Sequence, residues 1–167
     1  DWDRNGILGD DPRTSGIDMN RTFDYQWNRY DIETKDGQQI GNVNWTTAGT
    51  APATEPEIKA LQQFMYTRNM AALVTLHTGI QSVLYLWCYR AYDETNPDDA
   101  EIPFMKDTAA EMAQAFQNYT GRGFYSMSSN EDYPTAAELI DYAYGRYNIH
   151  AYTIEVYSPG TSEDGDI

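Results

Sequence analysis

Residues 54–89, TEPEIKALQQFMYTRNMAALVTLHTGIQSVLYLWCY, decide the fold class of this chain. The segment opens with a predicted helix, which starts at a capping box formed by Thr54 and Glu57. Its apolar residues recur at helical spacing and form one stripe: Ile58, Leu61, Phe64 and Met65. The apolar runs 71–77 and 83–89 then have the length and composition of buried strands. A helix followed by two such strands predicts α/β layering.

Outward from this segment, the same alternation continues along the chain. Helical patterns occupy 104–119, where Gly121 supplies the stop, and 135–146. The β-branched and aromatic run 149–157 predicts a further strand. Residues 121–132 are polar and predict a loop. The fold class predicted from the residues is therefore α/β, with helices flanking a sheet.

Composition and charge exclude several classes of protein. The 167 residues are 41% hydrophobic, enough to bury a core, and no run of about 18 apolar residues is long enough to span a membrane. The 26 acidic against 11 basic residues repel phosphate backbones, so nucleic acid is not an expected partner. The single cysteine, Cys88, excludes an internal disulfide and is interpreted as a small buried hydrophobic residue. Only three of the bases are lysine, which fits either adaptation to high salt or an ordinary acidic protein.

Four places along the chain carry candidate binding or catalytic residues. His77 ends an apolar strand, where open α/β sheets bind ligands, although a lone histidine is more often structural. Glu155 lies among apolar strand residues, where burying its charge costs free energy unless it is paired, metal-bound or catalytic. The alternative is a glutamate that faces water on an edge strand. Asn20 and Arg21 follow a short apolar run. An arginine can bind a carboxylate with two hydrogen bonds, although an isolated surface arginine is usually just solvated. Tyr133 precedes a proline and can bond a ligand, but it is one of fourteen tyrosines.

Four blocks of sequence, in order, resemble the zinc metallocarboxypeptidases of the carboxypeptidase A and B kind. GIDMNRTFDYQWN at 16–28 is similar to that family's Gly-x-Asp-x-Asn-Arg-Asn-Phe segment. GTAPATEPEIKAL at 49–61 is similar to its Ser-Glu-Pro-Glu-Thr helix start. LVTLHTGIQSVLYLWCY at 73–89 resembles the strand carrying its third zinc ligand, and YPTAAELIDYAYGRYNIHAYTIEV at 133–156 resembles the run from its mobile tyrosine to its general base. The resemblance implies the phosphorylase/hydrolase-like metallocarboxypeptidase fold, an α/β fold that has a mixed sheet with flanking helices.

The resemblance also implies a role for individual residues. His77 would be a zinc ligand, and Glu155 would be the general base that takes a proton from the zinc-bound water. Asn20 and Arg21 would hold the free C-terminal carboxylate of a peptide or protein substrate, and Tyr133 would close over that terminus. In this family the residue fifteen positions before the general base lines the pocket for the terminal side chain. Here that residue is Ile140, which suits apolar or aromatic termini.

The chain departs from the family pattern in its metal ligands. The family takes two further zinc ligands from a His-x-x-Glu motif, and neither His77 nor His150 is followed by Glu three residues later. We therefore expect residues 1–167 to be an incomplete catalytic domain, central to C-terminal in its parent enzyme, and inactive alone because zinc needs three protein ligands. The resemblance further implies a secreted protein, since such peptidases are usually exported.

Two alternatives to a peptide-hydrolysing enzyme stay open at this level. One is an amidase acting on cell-wall peptides that end in a carboxylate, and the other is a non-catalytic module that binds peptide termini. Separately, Asp1, Asp3 and Asn5 follow the start of an EF-hand-type calcium loop, so Ca²⁺ is a candidate ligand there. An ordinary Asp-Asn-Gly turn without metal explains the same residues.

Overall fold

The computed structural model describes residues 17–27, 29, 48–49 and 51–157 of the chain. The described residues form four α-helices: α1 (Pro56–Thr67), α2 (Ile102–Thr120), α3 (Ser129–Asp132) and α4 (Leu139–Tyr147). They also form four β-strands: β1 (Ala72–His77), β2 (Gln81–Tyr85), β3 (Tyr125–Ser128) and β4 (His150–Val156). Short 3-10 turns cover Met19–Arg21 and Pro97–Asp99.

The four strands make one mixed sheet in the order β1-β4-β2-β3. β1 runs parallel to β4, β2 runs parallel to β3, and β2 is antiparallel to β4. Helix α2 packs on β2 and β3, while α4 packs on β4. The predicted α/β class, with a mixed sheet and flanking helices, is confirmed.

The first helix is present, but its predicted start is wrong. α1 begins at Pro56, its N-cap is Glu55, and no side chain caps it. Instead of bonding the helix amides, the Thr54 hydroxyl contacts the Glu55 carboxylate at 3.3 Å. Phe64 of the predicted apolar stripe is 48% exposed, because only the Ile58 and Met65 side of the helix faces the core.

Strand β1 was predicted to be buried and is instead the edge of the sheet within the described residues. Alternate side chains of β1 are exposed, with Val74 and Leu76 47% and 69% accessible, because successive side chains point to opposite faces and the described residues cover only one of them. The expectation that His77 leaves the end of a central strand is therefore wrong for the described part of the chain. His77 nevertheless lies at the carboxyl end of a strand with a parallel partner.

The predicted boundaries hold less well around the second half of the sheet. Residues 83–89 are all buried, as expected, but the strand ends at Tyr85 and the rest is non-strand core. The predicted loop 121–132 contains β3 and α3. The helix predicted over 135–146 begins only at Leu139. Helix α2 ends as predicted, with Gly121 at a positive φ of 70°. No helix in the described ranges is long and apolar enough to cross a bilayer.

Candidate active site

The parallel pairing of β1 with β4 brings His77 and Glu155 together. The two residues are direct register partners at the carboxyl ends of their strands. His77 Nδ1 lies 4.0 Å from Glu155 Oε1, and His77 Nε2 is 3.1 Å from the Thr75 hydroxyl. An imidazole and a carboxylate therefore share one end of the sheet, the place where open α/β sheets bind ligands.

Glu155 is held in a dry setting. Its side chain is 13% exposed, and its buried Oε2 atom has no hydrogen-bond partner among the described residues. Burial raises the pKa of this carboxyl, and the negative charges of Asp132 and Glu138 raise it further. Gly79 lies against it, since a Cβ there would sit 3.4 Å from Oε2. The result is a carboxylate with raised proton affinity, which suits a general base.

The second part of the site is built on the 3-10 turn Met19–Arg21. Asp18 starts this turn, because its carboxylate accepts a hydrogen bond from the Asn20 amide at 2.8 Å. The Asn20 carboxamide oxygen then accepts from the Leu139 amide at 3.0 Å. The turn is thus fastened to the start of α4, more than one hundred residues later in the chain.

Arg21 is the charged centre of this second part. Its Nη1 lies 3.0 Å from Glu138 Oε1, and its Nη2 donates to the Tyr133 hydroxyl at 3.2 Å. Burial lowers the pKa of the Arg21 guanidinium, but the charge of Glu138, helped by Tyr133 and Asp18, outweighs it and raises the pKa. Asn20, Arg21, Tyr133 and Glu138 are called the clamp below.

The clamp and the His77–Glu155 pair belong to one charged cluster. Glu138 touches Arg21 in the clamp, and the same Glu138 charge acts on Glu155. The charge of Glu138 therefore links two groups of predicted residues that lie up to 135 positions apart in the sequence: Asn20, Arg21 and Tyr133 in one, and His77 with Glu155 in the other.

The sequence profile of the zinc carboxypeptidase family matches residues 2–164 of the chain. The chain belongs to the zinc carboxypeptidase family. Among curated relatives, human mast cell carboxypeptidase A is 23% identical over 165 residues, covering 95% of this chain and 36% of the relative. Bovine carboxypeptidase O is 28% identical over 148 residues, covering 87% of this chain and 37% of the relative. The chain thus spans about a third of the length of these relatives.

Solved structures agree on the fold. Carboxypeptidase A from Helicoverpa armigera superposes with a TM-score of 0.69 at 20% identity, covering 91% of this chain and 36% of the other. Thrombin activatable fibrinolysis inhibitor superposes with a TM-score of 0.66 at 20% identity, covering 89% and 36%. The sheet and its helices are therefore a carboxypeptidase fold, and the predicted family and fold are both confirmed.

Ile140 lies deeper than the other predicted site residues. It is 1% exposed and belongs to the main hydrophobic core, in the first turn of α4. Its place two residues after Glu138 keeps it near the clamp along the chain. Its predicted role as a pocket residue that favours apolar termini stays a prediction.

Glu138 is the site residue that the sequence interpretation missed. It is the N-cap of α4, it is 6% exposed, and its Oε1 atom accepts a hydrogen bond from the Thr135 hydroxyl. A signal was present, because Thr135-x-x-Glu138 has the spacing of a capping box before an apolar run. A capping box would start the helix directly after Thr135, but Ala137 has a positive φ of 58°, which a right-handed helix does not contain, so α4 starts at Leu139.

A buried layer supports the clamp from below. Asp141 is fully buried, and its carboxylate oxygens lie 3.0 Å and 3.3 Å from the Cys88 amide. Burial raises the pKa of Asp141 to about 8, although the hydrogen bonds from Cys88 oppose the rise. Cys88 is itself fully buried, which confirms its interpretation as a small core residue, and burial raises the pKa of its thiol.

The donor set fits only part of a zinc centre. His77 beside Glu155 supplies one imidazole and one carboxylate, but the part of the chain described here holds no group of three metal-ligating side chains. Zinc in this family needs three protein ligands, so the site is not complete within these residues. The candidate calcium residues Asp1, Asp3 and Asn5 lie outside the described residues.

Proposed function

We propose that this chain is part of a zinc-dependent metallocarboxypeptidase, which removes C-terminal amino acids from peptides. The observation that carries the proposal is the β1–β4 register, which sets His77 beside Glu155. Membership of the zinc carboxypeptidase family supports it. The family's usual location supports export of the protein.

In this proposal the clamp binds the substrate. Arg21 and Asn20 orient the terminal carboxylate, and the Tyr133 hydroxyl, already bonded to Arg21, covers it. Tyr133 is 53% exposed, so its ring has room to move over a bound terminus. Because an internal peptide bond lacks the second charge, this arrangement favours the last residue of a chain.

The other half of the cluster carries out the chemistry. Glu155 Oε2 takes up the proton of the attacking water, a task that its raised pKa and its lack of a partner in the described residues support. His77 would be one protein ligand of zinc, which, when bound, lowers the pKa of water to about 7 and polarises the scissile carbonyl. The two remaining ligands would lie outside the described residues.

Because the sequence holds no His-x-x-Glu motif, residues 1–167 would be an incomplete catalytic domain without activity of their own. Incubated with Zn²⁺ and a peptide that ends in Phe, the chain should release no free Phe. Release that is abolished by a chelator would contradict this part of the proposal. Reading the parent gene upstream of this segment for His-x-x-Glu tests the whole assignment.

If the parent encodes that motif, the longer protein should cleave a peptide ending in Phe faster than one ending in Arg, because Ile140 is apolar. Glu155→Gln should abolish cleavage while leaving bound zinc unchanged, and Glu94→Gln, an exposed loop residue, should do neither. Preference for Arg would overturn the role of Ile140 alone. Full activity of Glu155→Gln would overturn the general base.

A non-catalytic relative that binds peptide termini is the second candidate. It is favoured by one observation, the lack of a three-ligand metal group in the described part of the chain. The absence of His-x-x-Glu in the parent would support this candidate. Its clamp would be the same, so binding experiments on the clamp bear on both candidates.

A further inference from the structure

A cavity lies at the opposite end of helix α4 from the clamp. Its volume is about 550 Å³, and small-molecule pockets span about 300–1,000 Å³. Glu138 of the clamp is the N-cap of α4, whereas residues 144–148 at the C-terminal end of the helix line the cavity. A helix rises about 1.5 Å per residue, so the 9 residues of α4 hold the two places about 13 Å apart. The cavity is therefore separate from the candidate active site.

Aromatic rings line this cavity. The four rings belong to Tyr25, Trp87, Tyr144 and Tyr147. Two of them already lie against guanidinium groups of the chain itself. The Arg146 guanidinium is 5.8 Å from the centre of the Tyr25 ring, and the Arg90 guanidinium is 5.0 Å from the ring centre of its neighbour Trp87. Ring faces attract cations, and a planar guanidinium stacks flat on them, so these walls suit a guanidinium group.

The cavity also carries negative charge. Asp98 and Glu101 line it, and both are exposed. Burial raises the pKa of the Tyr144 hydroxyl, and the charges of Glu101 and Asp98 raise it further, so both carboxylates lie near this ring. The C-terminal end of α4 adds the negative end of a helix dipole. The basic lining residue, Arg146, is bound elsewhere, because its Nε and Nη2 donate to the Asp24 carbonyl at 3.0 Å and 2.7 Å. The cavity therefore favours a cation.

The wall that carries the two carboxylates is fixed by the buried side chain of Asp99. Its carboxylate accepts a hydrogen bond from the Trp87 indole at 2.7 Å and pairs with Arg90. The Asn96 side chain accepts from the Asp98 amide at 3.0 Å and so caps the 3-10 turn Pro97–Asp99. A site whose walls are held before the ligand arrives loses less conformational entropy on binding.

We propose that this cavity is a second binding site, which takes a guanidinium group such as the side chain of an arginine in a peptide. The guanidinium lies against the aromatic rings and donates its N–H groups to Asp98 and Glu101. Glu101 Oε2 lies 3.5 Å from His150 Nε2, and the Glu101 side chain is 50% exposed, which leaves Oε1 for the ligand. The proposal goes beyond the proposed function and does not depend on it, because the cavity and the clamp are separate.

The experiment uses the full 167-residue chain and two matched probes, N-acetyl-arginine amide and N-acetyl-citrulline amide. The second has the shape of the first without its charge, and neither has a free carboxylate for the clamp. Calorimetric titration gives the affinities, and the indole ¹⁵N signal of Trp87 reports whether the probe reaches the cavity. Wild type is compared with the double variant Asp98→Asn, Glu101→Gln. The control, Asp107→Asn with Glu111→Gln, removes the same two charges from exposed positions of α2.

Wild type and the control should bind the arginine probe about tenfold more tightly than the citrulline probe, with the Trp87 signal shifted. The Asp98→Asn, Glu101→Gln variant should bind the two probes equally. Equal binding of both probes by wild type, or binding without a Trp87 shift, would overturn the site. An unchanged preference in the double variant would overturn the role of the two carboxylates. Agmatine carries a guanidinium without peptide groups, and its tighter binding would overturn a peptide as the ligand. The proposed function stands under each of these outcomes.

Discussion

The two halves of the candidate site differ in how completely their charged groups are bonded to neighbouring residues. In the clamp, the Arg21–Glu138 pair is buried, with side chains 12% and 8% exposed, and Arg21 also reaches the Tyr133 hydroxyl and the Asn20 carbonyl. In the other half, His77 on the edge strand β1 lies 4.0 Å from Glu155 on the neighbouring strand β4, and Glu155 Oε2 has no partner among the described residues.

This difference separates structural from chemical roles. A buried ion pair that is satisfied on all sides contributes to the fold whether or not a ligand binds, and breaking it is costly. A buried carboxylate without a partner contributes little stability, or reduces it, and is retained for what it can do. Removing the charge should therefore lower the free energy of unfolding at Arg21 and raise it slightly at Glu155.

Removing Arg21 should have the largest effect. Arg21→Ala leaves the Glu138 carboxylate buried without its counter-charge, so we expect the free energy of unfolding in urea to fall by about 3–5 kcal/mol. Arg146→Ala is the control, because its pair with Asp24 is exposed on both sides and should cost less than about 1 kcal/mol. Equal losses for the two variants would mean that the clamp is no more structural than a surface pair.

Asp141, in the buried layer beneath the clamp, should make the free energy of unfolding depend on pH. Burial raises the pKa of Asp141 to about 8, so the folded chain holds a proton that the unfolded chain releases near pH 4. Stability from this group is complete below about pH 4 and is lost as the pH rises toward about 8. Relative to Asp141→Asn, wild type should lose stability on the order of a few kcal/mol across that window.

The measurement is urea unfolding of both proteins at several pH values, because other groups cancel in the difference. Asp99 is a useful internal contrast: burial raises the pKa of its carboxyl, but the Arg90, Trp87 and Asp93 hydrogen bonds outweigh burial and lower it. A stability difference between wild type and Asp141→Asn that does not change with pH would show that Asp141 is ionised in the fold.

Packing on the far side of α4 should give an intermediate effect. A Cβ at Gly145 would come within 2.2 Å of the Tyr25 ring, which stacks on Trp87 at a centroid distance of 6.0 Å. Gly145→Ala must displace that ring, and we expect a loss of about 1–3 kcal/mol in urea unfolding. Gly123→Ala, where a Cβ meets nothing within 4 Å, should be close to neutral. A neutral Gly145→Ala would show that the ring moves aside freely.

Neutralising the base should have the smallest effect, with the opposite sign to Arg21→Ala. Because the pKa of Glu155 is raised in the fold, its stability contribution is lost as the pH rises. Glu155→Gln does not titrate, so it should be as stable as wild type at low pH and slightly more stable, by less than about 1 kcal/mol, at neutral pH. A loss comparable to that of Arg21→Ala would show that Glu155 is a structural residue.

Much of the fold could be predicted from local patterns. The helices α1 and α2 and the strands β1 and β4 follow from apolar periodicity and β-branched runs, which act over a few residues. The boundaries of β2, β3 and α4 do not follow from them. Strand ends there depend on pairing between distant segments, and the positive φ of Ala137 delays the start of the helix. The edge position of β1 is a matter of sheet order, which no local pattern encodes.

The sequence by itself determined the family, because ordered motifs and their spacing are read without coordinates. The same motifs predict five residues of the candidate site: Asn20, Arg21, His77, Tyr133 and Glu155. Only the tertiary structure decided what stands between them. Glu138 became part of the clamp through contacts with residues 117 and 118 positions earlier in the chain, and a hydrogen bond or charge acts over a few ångströms of space, whatever the distance along the sequence.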